Sequence, residues 1–488
     1  MINNNHLGSR RHFLSDMGMG FTGLALGAML ERDAAAEGGM TPGNVGIAHF
    51  PAKAKSVIWL FMIGGTTHLE SFDPKPELSK YAGMSIAETP YKDVLTSPYS
   101  RENLRAAAND NRVELKVLPM QTGFRKHGQS GAEISDWWPH VARHADDLAI
   151  VRSLWTTDNN HGAQLQFHTG RHRLEGFLPT IGSWIHYGLG SLNENLPQFI
   201  VLGEPVADCC GGVRTHGAGY LGPEHAGVML DVAGRDPLPF ASPGSDVYHR
   251  EQREQFELLN RLNRESVIEY PDDTQTRARI KAYELAFRMQ TAVPDVVDFG
   301  QETQETQNLY GLDQDVTRPF GRICLSARRL VERGVRFIQV FHGANGAAGK
   351  WDAHFNLVGE TAPLCRQVDQ PIAALLHDLK RRGMLDETLV VWCTEFGRTP
   401  GAEQRKTVGR NHHPYGFSAW MAGGGLKGGV VHGATDELGY HAVEDRHYVT
   451  DLHATVLHQL GLQPRQMKIP GRKRLEIEYG KPIRELVV

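Results

Sequence analysis

The apolar pattern of the chain predicts an α/β fold: a doubly wound, mostly parallel central sheet with helices on both faces, plus a mainly helical insertion. Three observations predict it. Runs such as Val57 to Ile63 are apolar without alternation, as a strand must be when helices cover both of its faces. Segments of helical periodicity separate these runs, so strand and helix alternate along the chain. Charged and imidazole side chains follow directly after the runs, where open α/β sheets bind their ligands.

Taken in chain order, the first element is a signal rather than part of the fold. Ser9-Arg10-Arg11-His12-Phe13-Leu14 precedes a weakly apolar run from Met17 to Leu30 and then Ala34-Ala35-Ala36. Paired arginines, a short apolar run and an Ala-x-Ala site in that order make residues 1–36 a twin-arginine export signal. The expected partner is therefore the twin-arginine translocation machinery, and the expected location is periplasmic or extracellular. The run falls short of the roughly 20 residues that span a bilayer, and no other stretch comes close, so the mature protein is expected to lack a membrane span.

The domain proper is expected over 52–488. Its strands are Val57 to Ile63, Leu148 to Leu154, Val335 to Phe341 and Leu389 to Cys393, with Phe199 to Leu202 as a fifth. Helical patterns run from Phe320 to Arg333, Leu364 to Arg382 and Thr450 to Leu460. The stretch 205–318 is polar and rich in Gln and Glu, with helices expected over Val247 to Glu265 and Thr276 to Gln290. It is expected as an insertion or cap, with a separate small domain as the other option.

A net charge of −4 leaves no basic footprint for nucleic acid. Five cysteines are too few for a disulfide framework in a chain of 488 residues. Cys324, Cys365 and Cys393 lie in apolar stretches and are expected to be plain buried side chains, while the adjacent Cys209 and Cys210 are poorly placed to pair with each other.

The chemistry recurs at strand ends. After the first run comes Gly64-Gly65-Thr66-Thr67-His68-Leu69-Glu70-Ser71-Phe72-Asp73. After the third come His342 and Trp351-Asp352-Ala353-His354, and after the fourth Thr394-Glu395-Phe396-Gly397-Arg398. Gly409-Arg410-Asn411-His412-His413-Pro414 follows a little later. One such group alone is ordinarily a satisfied polar residue. Four in succession point to a cation, because each uncompensated buried charge would cost several kcal/mol. Imidazole with carboxylate oxygen suits zinc, manganese or iron, whereas carboxylates alone suit calcium or magnesium. The expected cofactor is a divalent metal, with zinc or manganese favoured and calcium possible.

These motifs, together with Asn160-His161 leading to Thr169-Gly170-Arg171, Thr435-Asp436-Glu437 and Asp451-Leu452-His453-Ala454-Thr455, resemble the alkaline phosphatase and sulfatase superfamily. More narrowly, the chain resembles an exported branch of it that is a domain of unknown function. The resemblance implies that Glu70 or Asp73 is the acidic ligand after the first strand. It implies that Asp352 and His354 are paired ligands after a middle strand, and that His412 or His413 is the late histidine ligand. Glu395 falls on the aspartate of the superfamily's Asp-His-Gly motif, and Phe396 falls on its histidine, so one nitrogen ligand is missing unless His161 or His68 replaces it. Counting back ten residues from Gly170 to the superfamily's nucleophile gives Asn160. An amide is not a nucleophile, so covalent attack is not available at that position. His161 is then a metal ligand, a nucleophile or a general base, and water activated by a Lewis-acid cation is the remaining route.

Other signals carry less. Gly128-Gln129-Ser130-Gly131-Ala132 departs from a nucleophile elbow in its last residue and has no apolar strand before it. Gly423-Gly424-Gly425-Leu426-Lys427-Gly428-Gly429 lacks the spacing of a phosphate loop. The mixed charges from Glu251 to Arg264 suit a solvated helix face. Arg398 and Arg410 are candidates for holding a sulfate or phosphate, with pairing to a carboxylate as the alternative. Two functions are expected from this. The first is a metal-dependent hydrolase of anionic sulfate or phosphate esters, in which Glu395 and Glu70 complete a second metal position or act as general base. The second is a binding or scaffold protein that kept the fold and a structural metal. Export of an already folded chain suits a metal chosen inside the cell.

Overall fold

The computed structural model describes residues 48–97, 116–205, 207–232, 237–238, 248–269, 274–402, 406–469 and 471–488. The expected export signal lies outside the described residues.

Nine strands form the central sheet. They are β1 Ser56–Met62, β2 Leu148–Trp155, β3 Phe199–Leu202, β4 Val228–Leu230, β5 Phe337–His342, β6 Thr388–Cys393, β7 Phe417–Gly423, β8 Val430–His432 and β9 His447–Tyr448. Their order across the sheet is β8-β2-β7-β6-β1-β5-β3-β4, with β9 also on β2. All pairings are parallel except those of β7, which runs antiparallel between β2 and β6. The sheet is thus mostly parallel, as expected.

β1 is central and all seven of its residues are buried, which is why it carries no polar alternation. Ile58, Leu60 and Met62 belong to one core, and Val57, Trp59 and Phe61 to another on the opposite face. Over the first face lie α5 Arg318–Glu332 and α6 Leu357–Arg381, which contribute Phe320, Leu325 and Leu330, and Val368, Ile372 and Leu376. Over the second lie α1 Ala163–Thr169, α2 Ile181–Leu189 and α7 Val449–Gln459, which contribute Phe167, Trp184 and Ile185, and Leu452 and Val456. This is the doubly wound arrangement the alternation predicts.

The stretch 205–318 holds the helices α3 His249–Glu269 and α4 Thr274–Val297. It also supplies β4 as an edge strand on β3, and Met289, Val293 and Val296 of α4 join the first core. The early start of α6 was hidden by Pro363 and Pro371 within it. Its actual N-terminal signal is Asn356, whose side chain accepts from the Gly359 N–H at 3.0 Å. Strand β7 went unrecognised because Ser418 and Ala422 dilute its apolar run and glycines follow directly.

The two motifs set aside are turns. Gly128 to Gly131 joins two short strands, Phe124–His127 and Ala132–Ser135, and the Asp146 carboxylate accepts from Gln129 and Ser130 N–H. The glycine run begins at Gly423, the last residue of β7, and Gly424 to Gly429 follow the strand. Cys324, Cys365 and Cys393 are buried. No helix among the described residues is long and apolar enough to cross a membrane.

Candidate metal centre

Because β1, β2, β5 and β6 are parallel, the segments that follow them emerge on one edge of the sheet. β7 runs the other way, so the residues that lead into it, His412 among them, arrive at that same edge. Thr156 N–H donates to Pro414 carbonyl at 2.8 Å and joins the two approaches.

Close backbone contacts fix the approach of each segment. Gly64 has φ +128°, and a Cβ there would stand 2.5 Å from the Asp352 nitrogen. Only glycine admits this contact. Trp351 N–H donates to Ile63 carbonyl at 3.1 Å and Arg410 N–H to Ala353 carbonyl at 3.0 Å, so the Asp352 segment is held from both sides. His412 lies in a short antiparallel pair, His412–His413 against Gly397–Arg398, with His412 opposite Arg398.

The result is a cluster in which one ligand atom each of His161, Asp352 and His412 lie within 4.8 Å of one another. His412 Nε2 and His354 Nε2 each lie 2.9 Å from Asp352 Oδ1, and 2.9 Å from each other. His161 Nε2 lies 3.2 Å from Asp352 Oδ2. On the far side of each ring, Nδ1 meets an oxygen that can only accept: Glu395 Oε1 at 3.2 Å for His161, and the Asn159 carbonyl at 2.8 Å for His412. Both Nδ1 atoms therefore carry the proton, and both Nε2 atoms turn toward Asp352. An imidazole backed by a carboxylate or carbonyl in this way is the usual arrangement around a metal.

Protonation states sharpen the point. Burial lowers the His412 pKa to about 3, so its ring is neutral and Nε2 is a bare lone pair facing a carboxylate oxygen. Burial would also lower His161, but the carboxylates of Asp352 and Glu395 outweigh it and raise its pKa to about 9. Burial pushes Asp352 up, while the three imidazoles and Arg398 hold it far below the carboxylate range. A bare Nε2 on His412, a second Nε2 on His161 whose proton a cation could displace, and a firmly ionised carboxylate fit a divalent cation with nitrogen and oxygen ligands.

Other expected site residues lie elsewhere. Glu70 is fully buried and paired with Arg410, whose Nη2 donates at 2.6 Å and Nε at 3.0 and 3.1 Å. Thr67 Oγ1 also donates to it at 2.7 Å. Asp73 lies 3.0 Å from Lys75 Nζ and accepts from Thr435 Oγ1. His68 Nε2 meets the Gly439 carbonyl at 2.9 Å, and His413 Nε2 meets that of Tyr440. Burial lowers the pKa of both rings. None of these four side chains belongs to the cluster.

Glu395 has no exposed surface and accepts from Gly64 N–H at 2.9 and 3.1 Å and from Thr394 Oγ1 at 3.1 Å. It orients His161 from behind. Asn160 Oδ1 accepts from His161 N–H at 2.7 Å, so the amide braces the turn that carries the imidazole. Phe396 packs its ring 4.5 Å from that of His412. Arg398 donates to the Gly65 carbonyl at 2.6 Å, the Arg410 carbonyl at 3.0 Å, the Trp351 carbonyl at 3.3 Å, Asp352 Oδ1 at 2.8 Å and the Gly64 carbonyl. With no exposed surface, it positions Asp352 and is not open to an outside anion. Arg410 is spent in the same way on Glu70 and on the carbonyls of Thr399, Pro400 and Pro119. The Asn159 carbonyl is the functional atom the sequence could not reveal, because a main-chain oxygen leaves no residue signature.

A family model described as "Protein of unknown function (DUF1501)" matches residues 54–487. The chain belongs to the DUF1501 family. No curated protein matches it significantly. Similar solved structures include the lipoteichoic acid synthase LtaP from Listeria monocytogenes, at 9% identity over 91% of this chain and 79% of that one, with a TM-score of 0.35. The PsFucS1 sulfatase from Pseudoalteromonas sp. gives 11% identity over 91% and 72%, with a TM-score of 0.33. The phosphonate monoester hydrolase SpPMH from Silicibacter pomeroyi gives 12% over 71% of each chain, with a TM-score of 0.34. Likenesses this slight carry no weight for the site of this DUF1501 chain, which rests on its own residues.

Proposed function

We propose that this DUF1501 protein is an exported, metal-dependent hydrolase of sulfate or phosphate esters. The observation that carries the reading is the convergence of His161, Asp352 and His412, with His354 beside them, at the ligand-binding edge of the sheet. His161 and His412 would hold the ion through Nε2 and Asp352 through its carboxylate, a donor set better suited to zinc or manganese than to calcium. When bound, such an ion supplies Lewis acidity to an ester oxygen and to water.

The chain's own groups do the rest. Glu395 and the Asn159 carbonyl keep the Nδ1 protons in place, and Arg398 fixes Asp352. Phe396 walls one side against bulk water. Asn160 offers no hydroxyl, so water and not a side chain at that position would be the attacking group. The test is elemental analysis of the purified mature protein, with sulfate and phosphate monoesters and diesters assayed with and without added metal. Metal at the buried centre and turnover, both lost in His412→Ala, are the expected result. A metal-free protein that stays folded and acts on no ester sinks the reading.

One observation favours a second reading. Both arginines expected to hold the anion are consumed by protein acceptors, which suits a binding or scaffold protein with a structural metal. In that case stripping the metal lowers thermal stability without loss of any activity, and Asn160→Ser or Asn160→Cys gains ester cleavage.

A further inference from the structure

A second pair of imidazoles lies at the edge of the sheet, outside the cluster described above. Strand β8 ends at His432 and β9 begins at His447, and both strands pair with β2, His432 opposite Val151 and His447 opposite Leu154. The intervening chain folds back through an antiparallel pair, Ala434–Thr435 with Ala442–Glu444. Gly433, at φ +67°, passes so close to β2 that a Cβ would stand 2.0 Å from Ser153 Oγ. The loop therefore leaves and returns on one edge, and its two ends meet.

They meet nitrogen to nitrogen. His432 Nε2 lies 2.9 Å from His447 Nε2, with ring centroids 5.1 Å apart. His447 Nδ1 lies 3.1 Å from Asp451 Oδ2, an acceptor, so Nδ1 carries a proton and Nε2 is the atom turned toward His432. This repeats the carboxylate-backed imidazole of the buried centre. Asp445, on the turn just before His447, has φ 43°, the single positive φ of a non-glycine residue among the described residues. Its carbonyl accepts from Ser153 Oγ at 2.6 Å, and its side chain is exposed. Sparsely populated backbone held in place by a specific contact tends to occur at ligand clamps.

We propose that His432 and His447 form a second divalent-metal site, its remaining positions left to water, and that it takes a borderline transition ion such as zinc, nickel or copper. Imidazole nitrogens select these ions over calcium and magnesium. The site closes the 433–446 loop, whose Thr435 holds Asp73 and whose Tyr440 carbonyl holds His413. An ion there staples the wall that packs behind the buried centre. The proposal does not depend on the hydrolase reading.

The test is a calorimetric titration of the chelator-stripped, full mature chain with zinc chloride, with folding followed by circular dichroism. Wild type is expected to take up two equivalents, and His432→Ala/His447→Ala one. Asp352→Ala is expected to take up one, through the edge pair. If the double variant does not fold, His447→Gln carries the same test at a half-buried position. Wild-type stoichiometry in the double variant or in His447→Gln overturns the proposal, as does a wild type whose only zinc is lost in Asp352→Ala.

Discussion

Glu70 and Asp352 start from equivalent places: each is an acidic residue shortly beyond a buried parallel strand, at the same edge of the sheet. Glu70 meets the guanidinium of Arg410 and the hydroxyl of Thr67, and nothing about it is left to satisfy. Asp352 meets Arg398 on Oδ1 and is then faced by His161, His354 and His412. The first carboxylate is closed by a permanent cation within the chain. The second sits among imidazoles, the ligand type that the proposed function assigns to a metal. A strand-end position makes a ligand possible, and the neighbours decide whether the group is spent on the fold.

The comparison breaks most visibly at its two carboxylates. Glu70→Gln leaves Arg410 buried without its counter-charge, which should cost about 3–5 kcal/mol in chemical denaturation while the folded fraction keeps its metal. Asp352→Ala should do the reverse, abolishing uptake at the buried centre with a smaller loss of stability, because four main-chain carbonyls still satisfy Arg398. If Glu70→Gln loses metal at unchanged stability, Glu70 is a ligand and the contrast is wrong.

Glu395 gives a finer cut. It reaches the centre only through His161 Nδ1, so Glu395→Gln should weaken metal affinity about 10- to 100-fold and leave stoichiometry unchanged. An altered stoichiometry in this variant would mean that Glu395 binds the ion itself.

How much of this was legible follows the range of the interactions. Strands β1, β3 and β6 could be read because burial on both faces imposes a continuous apolar run, a local property of the chain. Strand β9 could not, since two residues ending in Tyr448 carry no periodicity. At the site, residue types and strand-end positions brought out Asp352, His354 and His412, and equally His68, Glu70, Asp73 and His413, while His161 came from the resemblance carried by Asn160 to Arg171. What separates the two sets is contact across great sequence distance, such as the Arg410 to Glu70 pairing over 340 residues. The roles of Arg398 and Arg410 turned on the same thing, for a guanidinium beside a ligand looks alike in sequence whether its donors face solvent or carbonyls.

The smallest expected effect tests the idea that imidazole protons and a metal compete for one place. In the metal-free protein, His161 bridges Glu395 and Asp352 as an imidazolium with a pKa raised to about 9. To present Nε2 to a cation it must release that proton, whereas His412, lowered to about 3, has none to release. Metal uptake at pH 7.5 should therefore liberate close to one proton. Apparent affinity should rise about tenfold per pH unit below pH 9 and level off above it, each unit being about 1.4 kcal/mol. Titrations repeated in buffers of different ionisation enthalpy measure the proton count directly. A pH-independent affinity between pH 6 and 8 would mean that His161 stays protonated with the ion bound, which would leave the centre to Asp352, His354 and His412.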